Sequence, residues 1–332
     1  MKKTPRIPGL ASLGTLALCT ALLATPGAQA HASFPEHPIR LVVPYGPGAS
    51  ADQIARKFAE EFGKAIGQPV VVENKPGGST AIGFNAVASA GADGYTLLFS
   101  SASVAVYNPI LQKKLPYKVD DLTTISLLVD VPLNLLTNMQ TPINTIGELA
   151  AYGKAHPGEL RYSSAGMGTS THLAGEFLKQ ALDIDIVHIP YTGNAAAMVG
   201  VLRNDVQLIF DAPAPPLPHI KAGKIKALGL GSKQRQPLYE GVPAIQEAGY
   251  PDFEAGLWYG VAINKNTPAP VLKKIRTAID SVLENPDFSR EATTVWGAVP
   301  FKPMSQAEID AHIAEQKKLW RGIVDKAGIS MD

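Results

Sequence analysis

The sequence predicts an α/β protein made of two linked α/β units, on three observations. Short apolar runs alternate with stretches of helical periodicity. The alternation restarts near the middle of the chain, and the last third turns mainly helical. Apolar strands interleaved with amphipathic helices point to parallel sheets covered by helices on both faces. A length of 332 residues suits two domains or lobes.

The first unit begins with a strand at Ile39-Arg40-Leu41-Val42-Val43. Asp52 to Ile66 reads as a helix, because Ile54, Phe58, Phe62 and Ile66 fall on one face. Val70-Val71-Val72 is a second strand, Thr80 to Ser89 a helix, and Tyr95 to Phe99 a third strand. The second unit opens at Thr145-Ile146-Gly147-Glu148, a capping-box pattern for a helix ending near Pro157. Strands follow at Leu160–Ser163, Ile184–Ile189, Val206–Phe210 and Ile225–Leu230. Helices between them span Thr169–Leu182, Asn194–Arg203 and Pro215–Ala222. In the tail, Thr267-Pro268 offers an N-cap and a first-turn proline for a helix to Leu283. Ser305-Gln306-Ala307-Glu308 is a second capping box, opening a last helix through Trp320 to Lys326. Two such units leave a cleft between them, the usual place for a small ligand.

Residues 1–30 read as an export signal. Lys2, Lys3 and Arg6 precede a Leu/Ala-rich run from Leu10 to Leu23, and Ala28-Gln29-Ala30 gives a small-residue exit. Ala30-His31-Ala32 is a second cleavage triplet, so the mature start is expected near His31 or Ser33. The run is too short to span a bilayer. Cys19, the single cysteine, lies inside it behind Leu18, which is not a lipoprotein pattern. Cleavage leaves a cysteine-free chain, which excludes disulfides and thiolate chemistry. A large exported chain without cysteines suits a bacterial periplasm. Losing the three leader cations turns the net charge from +1 to −2. No basic excess remains to neutralise phosphates, which argues against nucleic acid as a partner.

Ligands of open α/β sheets bind beyond the carboxyl ends of the strands. After the first strand, Tyr45-Gly46-Pro47-Gly48-Ala49-Ser50-Ala51-Asp52 runs straight into a helix. After Leu160–Ser163, Ser164-Ala165-Gly166-Met167-Gly168-Thr169-Ser170-Thr171-His172 does the same. Free amides and the dipole at a helix start favour an anion, and hydroxyls add donors. Each unit thus supplies one anion-friendly helix start, and a carboxylate held between them needs no arginine. Asp52 is either a ligand contact or an N-cap. Ser79, Ser101, Tyr191 and Asp211 sit in the loops after other strands. Tyr45, Tyr191 and Trp258 are candidates to wall a pocket.

Catalytic patterns are poor. There is no Gly-x-Ser-x-Gly elbow. Gly166-Met167-Gly168 lacks the third glycine of a dinucleotide fingerprint, since that position is Thr171. His172 and Glu176, four apart on a helix, with His188 as a third group, are the only candidate metal set; packing and pairing explain them more simply. No cofactor is expected.

Several segments together resemble one family. They are Phe34-Pro35 with Pro38-Ile39-Arg40; Val43-Pro44-Tyr45 through Asp52-Gln53-Ile54-Ala55-Arg56; Gly67-Gln68-Pro69 through Asn74-Lys75-Pro76-Gly77; and Asp93-Gly94-Tyr95-Thr96. They continue with Ser163-Ser164-Ala165-Gly166 through His172-Leu173-Ala174-Gly175-Glu176, His188-Ile189-Pro190-Tyr191-Thr192-Gly193 and Glu247-Ala248-Gly249. From about Phe34 to the end, the chain resembles the solute-binding receptors of tripartite tricarboxylate transporters, the TctC or Bug family. The resemblance implies a type II periplasmic-binding-protein fold with a ligand cleft between two Rossmann-like lobes. Residues 34–133 plus 259–332 would form lobe 1 and residues 134–258 lobe 2. It implies a small carboxylate ligand (a dicarboxylate, amino acid or aromatic acid) gripped by Tyr45–Asp52 and Ser164–Thr171. It implies membrane permease subunits as partners, with a sensor kinase as the alternative partner; a monomer is expected. Two features depart from the family: Ala49 and Ser79 carry side chains where it often has none, which bears on the ligand and not on the fold.

Overall fold

The computed structural model describes residues 34–48 and 50–331. The export signal read at residues 1–30 and the candidate Ala49 lie outside the described residues.

From Phe34 the chain runs β1 (Ile39–Val43), α1 (Ser50–Ile66), β2 (Val70–Asn74), α2 (Ala81–Ala88) and β3 (Thr96–Ser101). A π-helical turn (Ser103–Tyr107) leads into α3 (Asn108–Leu111), then β4 (Leu122–Pro132) and β5 (Asn134–Asn138). Next come α4 (Ile146–Ala155), β6 (Arg161–Ser164), α5 (Ser170–Leu182), β7 (Val187–Pro190), α6 (Asn194–Leu202) and β8 (Leu208–Asp211). They are followed by α7 (Leu217–Lys221), β9 (Ile225–Gly229) and β10 (Gly256–Asn264). The tail is α8 (Ala269–Leu283), α9 (Pro286–Glu291), β11 (Val299–Pro300) and α10 (Gln306–Ala327).

The strands form two sheets, ordered β11-β4-β10-β3-β1-β2 and β7-β6-β8-β5-β9. Both are mixed, which corrects the expectation of parallel sheets. β3-β1-β2 and β7-β6-β8 are parallel. β10 runs antiparallel to β3 and β4, and β5 antiparallel to β8 and β9. The unforeseen strands are β4, β5, β10 and the two-residue β11. Leu122 to Asn138 is a long run buried along most of its length, so it shows no clean alternation and carries no helical period.

β4 passes into β5 through Leu133 alone, and the chain returns to the first sheet at Ala255 and β10. These two crossings run side by side: the Leu133 amide donates to the Ala255 carbonyl at 2.8 Å. A Cβ at Gly231 would collide with the carbonyls of Leu133 and Ala255, so only glycine lets a third segment approach both crossings. One core joins the two sheets. It includes Leu127 and Trp258 of the first, Leu208 and Phe210 of the second, and Tyr107 and Trp320.

The caps show which local signals were sound. Ser305 and Glu308 form the complete capping box of α10. At α4 only half forms: Thr145 accepts from the Glu148 amide, while the Glu148 carboxylate reaches back to the Asn144 amide at 2.7 Å. Thr267 does not cap α8; its hydroxyl donates to the Asn264 carbonyl, and Pro268 holds the cap position.

Candidate ligand-binding site

The sequence candidates separate into two groups, one at the carboxyl ends of the first sheet's parallel strands and one at those of the second. In the first, β1 ends in the loop of Tyr45, Pro47 and Gly48, and Ser50 starts α1. Asp52, 3% exposed, is fully engaged by the protein. Its Oδ2 accepts from the Gly48 amide and Arg56 Nε, both at 2.9 Å, and its Oδ1 from Asn74 Nδ2 at 2.8 Å. Burial alone would raise its carboxyl, yet the bonds from Arg56, Gly48 and Asn74 together hold it below the ordinary carboxylate range. Asp52 therefore shapes the loop. The same Asn74 amide donates to the Tyr45 carbonyl. The sequence offers Asn74 only as part of a lower-weight loop after the second strand; its role comes from its pairing with Val43 at the mouth of the Tyr45–Asp52 loop.

Tyr45 and Ser101 join through a 2.6 Å hydroxyl contact. Ser79 stands in a run of four consecutive positive-φ residues, Gly77 to Thr80. For Ser79 and Thr80 that backbone is strained, and Asn108 holds it. The Asn108 Nδ2 donates to the Ser79 carbonyl at 2.7 Å and lies 3.2 Å from Thr80 Oγ1. Asn108→Ala is expected to cost about 1–3 kcal/mol through the unpaired carbonyl, read as a lower urea midpoint. An unchanged midpoint would show that the turn holds itself.

In the second group, β6 ends at Ser164 and α5 starts at Ser170 behind the cap Thr169. Ser164 is fully buried. Its Oγ lies 2.6 Å from His188 Nε2 and accepts from the Gly166 amide at 3.1 Å. Thr169 Oγ1 donates to the Gly166 carbonyl at 2.7 Å. The Ala165 amide donates to Thr171 Oγ1 and the Gly168 amide to His172 Nδ1, both at 3.0 Å. What remains free is informative. Among the described residues, no protein acceptor takes the amides of Met167, Ser170 and Thr171. Among the described residues, no protein acceptor takes the amides of Ser50, Ala51 and Asp52 at the start of α1 either. Among the described residues, the hydroxyls of Ser50, Ser79 and Ser170 also have no protein partner.

Gly168 meets Leu111 and Met331, where a Cβ would not fit. The second group thus abuts the segment that follows β3. Tyr191 lies against Gly200 of α6, and its amide donates to the Ser164 carbonyl. Asp211 ends β8; its Oδ1 accepts from Asn194 Nδ2 at 2.6 Å and the Ala212 amide at 2.8 Å. Burial pushes its carboxyl up to about 6, against those two bonds. Asn194 was missed in sequence, where it reads only as a helix start.

One candidate is corrected. Trp258, 2% exposed, belongs to the core shared by the two sheets and does not wall a pocket at these loops. His172 and His188 stack face to face, with centroids 3.9 Å apart, so their nitrogens do not converge on a metal. Glu176 is taken by the Tyr162 hydroxyl at 2.7 Å and by Lys179. Among the described residues no group of three or more His, Cys, Asp or Glu is placed to hold a metal ion.

Two mixed α/β sheets joined by paired crossings, with helix starts at their carboxyl ends, define a two-lobed solute-binding protein. The family model of the tripartite tricarboxylate transporter family receptor matches residues 54–329, and the chain belongs to that family. It is 34% identical to Protein BugT of Bordetella pertussis over 321 residues, covering 95% of this chain and 98% of BugT. The structure of R. palustris Rpa4515 with adipate aligns with TM-score 0.79 and 26% identity, over 90% of this chain and 99% of the other. MatC from Rhodopseudomonas palustris with bound malate aligns with TM-score 0.73 and 29% identity, over 88% and 100%. Receptors of this family are periplasmic, bind small carboxylates and work with transporter permeases. The chain is a solute-binding receptor and not an enzyme. No helix among the described residues is long and apolar enough to cross a membrane.

Proposed function

We propose that this receptor captures a small carboxylate between the loops 45–52 and 164–171 and delivers it to the permease subunits of a tripartite tricarboxylate-type transporter. The observation that carries this is the set of free amides: Ser50, Ala51 and Asp52 at the start of α1, and Met167, Ser170 and Thr171 around the start of α5. Such donors, aligned with the helix dipole, suit one carboxylate without a cationic side chain. The bound acids of Rpa4515 and MatC are of the same chemical class. In this reading Ser50, Ser79 and Ser170 touch the ligand. Asp52, Ser101, Ser164, Gly166, Gly168 and Thr169 shape the loops that hold it, and Tyr191 and Asp211 flank them. Residues 34–133 plus 259–332 move as one lobe and 134–258 as the other. Residues 1–30 direct export, and the mature receptor acts as a monomer.

The test is a thermal-shift screen of protein refolded free of carried-over ligand, against adipate, malate, amino acids and aromatic acids. A true ligand at a hundredfold excess over its Kd should add about 2.7 kcal/mol of stability. Silence across the whole panel would contradict the proposal.

A further inference from the structure

Beneath the second loop lies a partly buried polar chain, most of which the binding reading does not use. Lys179 pairs with Glu176 at 3.4 Å, and Glu176 accepts from the Tyr162 hydroxyl at 2.7 Å. The Tyr162 ring stacks on His188 with centroids 4.8 Å apart, and His188 stacks on His172 at 3.9 Å. Each histidine then holds the loop. His188 Nε2 meets Ser164 Oγ, which takes the Gly166 amide. His172 Nδ1 takes the Gly168 amide. Gly168 has φ +70° and is backed on its other side by Leu111 and Met331, so the loop is pinned from two directions.

Tyr162 is itself fixed by close approach. A Cβ at Gly175 would collide with its ring, so the ring packs directly on the helix backbone there.

We propose that His172 is a positioning residue for ligand capture: its neutral ring, clamped by His188, anchors the Gly168 amide and so aims the free amides of Met167, Ser170 and Thr171 at the carboxylate. This rests on the binding reading given above and extends it to a buried residue that touches no ligand.

The chemistry fixes the tautomer. To accept from Gly168, Nδ1 must be bare, so the proton sits on Nε2. Burial, and then the Lys179 charge, bring the pKa of His172 down to about 4. His188 is brought down to about 4 by burial and by His172, against Glu176. Tyr162 of β6 stacks on His188, and Asp183, Asp185 and Lys326 line a surface hollow together with Glu176 and Lys179. A histidine whose folded pKa is depressed stabilises the fold above its unfolded value near 6.5. That contribution is lost as pH falls through about 4. Protonation at Nδ1 also places two donors face to face and frees Gly168.

The experiment combines isotope-edited NMR of the full mature protein with calorimetric titration of adipate and malate. Two variants decide it. His172→Asn places an oxygen acceptor near the Nδ1 position and cannot be protonated; His172→Leu keeps bulk and offers no acceptor. The expected result is an Nε2–H ring at pH 7 and a Gly168 amide signal that titrates with His172 near pH 4. That signal should shift in His172→Leu, and in His172→Asn it should return without the titration. Affinity for whichever probe binds should fall at least tenfold in His172→Leu and recover to within about threefold in His172→Asn. A ring protonated on Nδ1, or a Gly168 signal and an affinity unmoved in folded His172→Leu, would overturn the proposal. If wild type bound neither probe, the tautomer and the Gly168 signal would still judge the anchor, and the carboxylate reading alone would be in question.

Discussion

Trp320→Ala should destabilise the protein by about 3–5 kcal/mol, the range for truncating a large buried aromatic. Trp320 sits on α10, 1% exposed, where that helix meets both sheets' surroundings. Its ring lies edge-on to Tyr107, in the turn after β3, at 5.4 Å, and to Phe177 of α5 at 5.9 Å. Its Nε1 donates to Gln316 at 2.9 Å. Further along the tail, Gln180 of α5 donates to the Ile323 carbonyl and the Met331 amide to the Leu111 carbonyl. The last helix is thus a clamp across two segments, the turn and short helix that follow β3 (Tyr107, Leu111) and α5, which follows β6 (Phe177, Gln180). Removing the ring leaves a cavity lined by both. Urea unfolding should show a lower midpoint at unchanged slope, and Trp320→Phe should cost clearly less. A loss under 1 kcal/mol for Trp320→Ala would show that the clamp lies elsewhere.

Asp52→Ala should cost about 1–3 kcal/mol and also abolish ligand capture. Three donors converge on this carboxylate, from Gly48, Arg56 and Asn74. Hydrogen bonds to a charged group are each worth about 1.5–3 kcal/mol, but Arg56 is half exposed and solvent discounts its share. Asp52→Asn is the sharper probe. It keeps the shape and brings an NH₂ against donors, so it should not rescue. Because the folded carboxyl lies below its ordinary value, this stability is present above about pH 4 and is lost as pH falls through the depressed value. Wild type and Asp52→Ala should therefore converge in stability in acid. Equal affinity in folded Asp52→Ala would remove the first loop from the site.

The fold and the loops were legible for different reasons. α1 and α10 declared themselves through Ile54, Phe58 and Phe62 at fours and through the Ser305–Glu308 box, which are local signals. β4 and β10 did not, because central strands covered on both faces lose alternation, and antiparallel pairing is settled by partners far along the chain. The helix starts at Ser50 and Ser170 were readable as anion-friendly, since free amides follow from any helix start. What the hydroxyls and carboxylates do there was not readable. Ser164 looks like a ligand contact in sequence and is turned inward to His188. Asp52 looks ambiguous and is spent on Arg56 and Asn74. His172 invites a metal and instead accepts one backbone amide. The first two outcomes depend on a residue supplied by another strand, His188 of β7 and Asn74 of β2, which spacing along the chain cannot show, and the third on how the loop turns Gly168 back onto its own helix.

Native mass spectrometry of the receptor purified gently from the periplasm, followed by denaturation to release what it carries, tests the central claim most directly. The account predicts a small organic acid at close to one per chain, lost or sharply reduced in Asp52→Ala. A stoichiometric metal with no organic acid would contradict it.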